Sequence, residues 1–111
     1  PASTPSFYIL DAGGVIRHKW AGAPGAKAID TALDKLIKEA ELAVANAEKN
    51  LAKTTAEKEF YKGKELPADL KGKIRDLEAA VMAKRVVLDA RKRDVGLVTA
   101  KAAIHQSLEL L

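Results

Sequence analysis

Residues 33–54 read LDKLIKEAELAVANAEKNLAKT. Leu33, Ile37, Ala40, Val44, Ala47 and Leu51 recur at alternating intervals of four and three, the spacing of a heptad seam along one helix face. No proline or glycine interrupts the pattern between Ala26 and Lys62-Gly63, and Gly63 suits the residue just past a helix C-terminus. The spacing predicts a helix over 26–61, roughly 54 Å long at about 1.5 Å per residue. One half of its seam is Leu33, Ala40, Ala47 and Thr54, and small residues there let a second backbone come close.

Downstream the pattern restarts. Pro67 suits a first helical turn, and Asp69 places a negative charge where the helix dipole favours it. A second seam of Leu70, Ile74, Leu77, Val81, Leu88, Val95, Val98 and Ala102 predicts a helix over about 68–110, with Lys84 and Arg91 in seam slots and Gly96 as a possible kink. The short connection between the two helices implies that they run antiparallel.

Upstream the period is different. Ser6 to Leu10 is rich in strand formers, Asp11-Ala12-Gly13-Gly14 is turn chemistry, and Val15 to Trp20 reads as a return strand. Strict alternation places Ile16, His18 and Trp20 on one face. Gly22 to Gly25 then forms a loop into the first helix. The expected fold is therefore mainly α: a β-hairpin (about 6–10 and 15–20) followed by a long antiparallel helical hairpin (about 26–61 and 68–110). The organisation divides into residues 1–25 and residues 26–111. A two-stranded hairpin is marginal in water by itself, so its sheet needs completing.

Composition limits the chemistry. The 111 residues suffice for one domain. Hydrophobic residues make up 48% but aromatics only 5%, which favours close-packed helices over a β-sandwich core. No apolar run reaches the roughly 20 residues of a membrane span, so a soluble chain is expected. There is no cysteine, which excludes disulfides, thiolate catalysis and cysteine-bound zinc in this chain. The sequence begins at Pro1 and not at Met, which reads as a processed or truncated chain. The net charge of +4 is concentrated at 70–111, where nine basic residues face five acidic ones.

Residues 4–40 resemble the C-terminal end of thioredoxin-fold redoxins, the bacterial thiol–disulfide oxidoreductases and peroxiredoxin-like proteins. Thr4-Pro5 matches the family's cis-proline position, Phe7 to Leu10 its strand, and Asp11 to Gly14 its turn. Val15 to Trp20 matches its last strand, Gly22 to Gly25 its loop, and Ala26 to about Ala40 its last helix. The resemblance implies a thioredoxin-derived shape and leans towards an exported or periplasmic setting. It does not carry the activity over, because the cysteine-bearing unit is missing and Pro5 is the only active-site neighbour present. Residues 41–111 have no counterpart in the family.

No arrangement of residues specifies a reaction. His18 and His105 lie on different elements and are read as a strand-surface and a seam residue, so no metal or other cofactor is expected. Lys84, Arg85, Arg91, Lys92 and Arg93 form a basic stripe that could grip phosphates. Asp89 and Asp94 dilute it, however, and no aromatic residue interleaves to stack bases. The preferred reading is that these long side chains cover the seam and pair with Glu39, Glu41 or Glu48 on the facing helix. The leading expectation is a non-catalytic structural or interaction subunit. Its helical arm carries a docking end built on Pro5, Phe7, Ile9, Ile16 and Trp20, which completes its sheet with a protein partner or a second copy. The alternative is the C-terminal part of a longer redoxin whose active-site cysteines lie upstream.

Overall fold

The structure, a computed structural model, describes the backbone of residues 5–109 and the side chains of residues 5–95. It is mainly helical, with an N-terminal antiparallel hairpin followed by two long helices. The chain divides into two compact units, Pro1–Lys35 and Leu36–Leu111.

In the first unit, β1 (Ser6–Leu10) pairs with β2 (Ile16–Ala21). The loop between them is closed by its own chemistry. Gly14 N–H donates to the Asp11 carbonyl at 2.9 Å, and Asp11 N–H donates to the Val15 carbonyl at 3.0 Å. Gly14 sits at φ +78°, in the left-handed region that favours glycine. These bonds draw Val15 into the loop, so β2 starts one residue later than the alternation predicts.

The register runs Phe7↔Trp20, Tyr8↔Lys19 and Ile9↔His18, then slips to Leu10↔Ile16. Arg17 is the extra residue of a β-bulge. The bulge resets the alternation and corrects one expectation: Ile16 shares the face of Leu10 and Tyr8, not that of His18 and Trp20. At the open end, Gly22 N–H donates to the Pro5 carbonyl at 2.8 Å.

The first turns of α1 (Ala26–Ala56) complete this unit. Ala28 and Ile29 N–H both donate to the Gly25 carbonyl, at 3.0 and 3.2 Å, which satisfies part of the helix's unpaired N-terminus.

In the second unit, α1 continues to Ala56 and then tightens into a 3₁₀ helix over Glu57–Tyr61. The expected single helix over 26–61 therefore changes winding in its last turns. Phe60, in these turns, is exposed. Closing bonds such as Lys62 N–H to the Glu59 carbonyl (3.4 Å) and Lys64 N–H to the Tyr61 carbonyl (2.8 Å) take up terminal carbonyls. Gly63, at φ +78°, reverses the chain as its position suggested.

α2 (Ala68–Glu109) returns antiparallel and continues through Gly96 as helix. The core of this unit follows the seam except at its start: Ala40, Val44 and Thr54 on α1 are buried, as are Leu70, Ile74 and Val81 on α2, and Leu36 is buried while the expected seam residue Ile37 is half-buried. Leu77, Leu88 and Val95 are half-buried, in line with the heptad reading. The seam positions Val98, Ala102 and His105 lie outside the residues whose side chains are described.

Two substitutions separate the seam from the rest of α2. Ile74 is 5% exposed, and Ile74→Ala should cost about 2–4 kcal/mol in thermal or urea unfolding followed by circular dichroism. Lys73 is exposed, and Lys73→Ala should change stability by no more than about 0.5 kcal/mol.

Candidate docking surfaces

The hairpin is organised by Asp11. Its Oδ1 accepts hydrogen bonds from the N–H groups of Gly13 at 2.9 Å and Val15 at 3.1 Å. Its Oδ2 lies 3.5 Å from the Arg17 guanidinium. The Val15 N–H chiefly holds the Asp11 carboxyl below the usual aspartate range, with Gly13 and Arg17 adding to the effect. The bulge that displaces Ile16 thus also turns Arg17 back towards the loop.

The two faces of the hairpin differ. Phe7, Ile9, His18 and Trp20 share one face. On it the His18 and Trp20 rings stack, with centroids 5.6 Å apart and planes 18° from parallel. His18 and Trp20 also line a shallow cleft with Gly25, Ala28, Thr31 and Ala32 of the same unit. Ile9, His18 and Trp20 are half-buried.

The opposite face carries Tyr8, Leu10, Ile16 and Lys19, with Leu10 57% and Ile16 54% exposed. Lys19 Nζ lies 5.7 Å from the Tyr8 ring centroid. Of the five expected docking residues, the structure gathers Phe7, Ile9 and Trp20 on the first face and places Ile16 on the other. Pro5 is exposed beside the open end, and the Thr4–Pro5 peptide bond lies outside the described residues. The sheet has two strands, so each keeps one unpaired edge.

The basic stripe on α2 is divided. Arg85 reaches across to α1, donating from Nε and Nη2 to Glu48 Oε1 at 3.2 and 2.6 Å. Arg91, half-buried, donates from Nη1 to the Leu36 carbonyl at 2.7 Å. Lys84, Lys92 and Arg93 are exposed. The expected cross-helix pairing therefore exists at Glu48. Arg91 binds a backbone carbonyl instead of an acid, because its guanidinium lies over the α1 backbone at the seam.

In the second unit, Leu51, Ala52, Ala56, Val81 and Met82 line an apolar groove between the helices, with Glu48, Glu59, Glu78 and Arg85 around it. The one signal in the sequence is Met82, a large apolar residue that lies off the heptad seam.

Among the described residues, no group of three or more His, Asp or Glu side chains is placed to hold a metal ion. No described helix is long and apolar enough to cross a membrane. Comparisons of the chain with protein-family models, with curated proteins and with solved structures find no match.

The Asp11 cluster gives the hairpin a pH signature. Because the folded-state value is lowered, its contribution to stability is full above the ordinary aspartate value of about 3.9 and is lost as pH falls through the lowered value. Trp20 fluorescence titrated from pH 6 to pH 2 should show a transition in that acid window. Asp11→Asn keeps an oxygen acceptor but cannot titrate, and should remove the Asp11-dependent part of the transition.

Proposed function

We propose that this chain is a non-catalytic structural or interaction unit. Its helical hairpin serves as an arm, and its β-hairpin is a docking end that pairs with β-structure supplied by a protein partner or a second copy. The observation that supports this reading most is the exposed face of Tyr8, Leu10 and Ile16 on a sheet with two open edges. Covering three half-exposed side chains of this size is worth about 1 kcal/mol each. Each edge hydrogen bond gained adds about 1 kcal/mol. Together these terms are large enough to turn a marginal hairpin into an ordered one. Strand addition is the docking mode that satisfies both needs, since the incoming strand pairs the edge and its side chains extend the face.

A second reading has its own support. The order of strand, Asp-x-Gly-Gly turn, strand, glycine-rich loop and helix at residues 6–40 resembles the end of a redoxin. On that reading the completing strands and the active-site cysteines belong to the same, longer polypeptide. The hairpin then forms the cis-proline wall of the parent enzyme's active site.

Leu10→Asp combined with Ile16→Asp tests the first reading. Native size-exclusion chromatography of the protein isolated from its source should show an assembly that becomes smaller in the double variant, while far-ultraviolet circular dichroism keeps its helical signal. An assembly unchanged by both substitutions contradicts the docking role. The intact mass of the source protein separates the readings: a mass near 11.9 kDa supports the first, and one larger by about half a thioredoxin domain supports the second.

A further inference from the structure

The groove in the second unit is apolar inside and acidic at its rim. Val81 is buried within it, and Leu51, Ala52, Ala56 and Met82 line it together with one uncharged polar residue, Thr55. Of the four charged residues around it, Arg85 is engaged by Glu48 at 2.6 Å, which leaves Glu59 and Glu78 as the surplus charge.

Beside the groove, α2 carries a complementary stripe. Arg75, Met82, Val86 and Arg93 are spaced seven, four and seven apart and so share a helix face. All four are exposed, Met82 at 67% and Val86 at 66%. The stripe is therefore an apolar pair with a guanidinium at each end. That is the chemistry an apolar groove with an acidic rim would accept.

We infer that the helical hairpin self-associates, the Met82–Val86 stripe of one copy lying antiparallel in the groove of a second. Met82 belongs both to the stripe and to the groove wall, so each copy gives and receives the same contact. This is the condition for a two-fold, self-complementary interface. Two helical hairpins joined in this way form a four-helix bundle. The apolar pair is covered, and with Met82 near the two-fold axis Arg93 of one copy comes level with Glu59 of the other. The inference is independent of the docking role of the β-hairpin, because every residue it uses lies on the second unit.

The absence of cysteine makes the test specific. Met82→Cys introduces a single thiol close to the proposed two-fold axis, where its counterpart in the second copy is within disulfide reach. Treatment of the full chain with diamide at micromolar concentration should give a covalent dimer of twice 11.9 kDa. It should form at least about tenfold faster than with Leu42→Cys, which is equally exposed but lies outside the groove. Glu59→Arg and Arg93→Glu should each weaken the dimer about tenfold or more in sedimentation equilibrium, and the two together should recover much of the loss. Equal cross-linking rates at the two positions overturn the inference. So does a wild-type chain that sediments as a monomer at 100 µM, or a dimer that persists in Met82→Glu. The last outcome would assign self-association to another surface, such as the β-hairpin.

Discussion

The close antiparallel approach of α1 and α2 determines most of what this chain can be. Leu36, Ala40, Val44 and Thr54 on α1 and Leu70, Ile74 and Val81 on α2 are the buried residues of this unit. Two helices can bury one stripe each and no more. Among the described residues no large side chain is completely buried. Alanine at position 40 and threonine at position 54 keep the helices close, and that closeness lets Arg85 reach Glu48 and Arg91 reach the Leu36 carbonyl. The charges reinforce a geometry that apolar packing sets, since an exposed ion pair such as Arg85–Glu48 is worth at most about 1 kcal/mol.

A core this narrow leaves apolar surface on its flanks. Met82 and Val86 lie on one flank and Leu42 is exposed on α1, and no rearrangement within a two-helix unit could bury all of them along with the seam. The β-hairpin has the same difficulty in another form. Its loop is well determined by Asp11 and Gly14, yet its outer face and both edges stay open. Local order and incomplete burial coexist in both units, a combination typical of surfaces that are completed by something else. The seam makes the helices self-sufficient, whereas turn chemistry alone cannot do the same for two strands.

The helical hairpin was legible because its signal is periodic and long. The seam positions Ala40, Val44, Leu70, Ile74 and Val81 are buried as the heptad pattern predicts, whereas Leu36 is buried where Ile37 is half-buried and Lys84 is exposed in its seam slot; Gly63 ends the first helical stretch where its chemistry suggests. What escaped the sequence reading depended on single contacts. The bulge at Arg17 moved Ile16 to the opposite face, and alternation cannot anticipate a bulge set by an aspartate that binds its own loop. The 3₁₀ ending over Glu57–Tyr61 contains no helix-breaking residue that would announce it. The groove arises where two helices meet, and neither helix alone has the pattern of a pocket. Arg91 occupies a seam slot in the sequence pattern, but a backbone carbonyl as its partner has no sequence signature.

The central claim is that the seam holds the helical hairpin by itself while the β-hairpin relies on further contacts. Amide hydrogen exchange on this chain alone, resolved along the sequence by mass spectrometry, tests it most directly. The account predicts strong protection over residues 36–54 and 70–90 and exchange at least about a hundredfold faster over residues 6–21. Equal protection of the β-hairpin and the helices would contradict it, because the strands would then be complete without anything added.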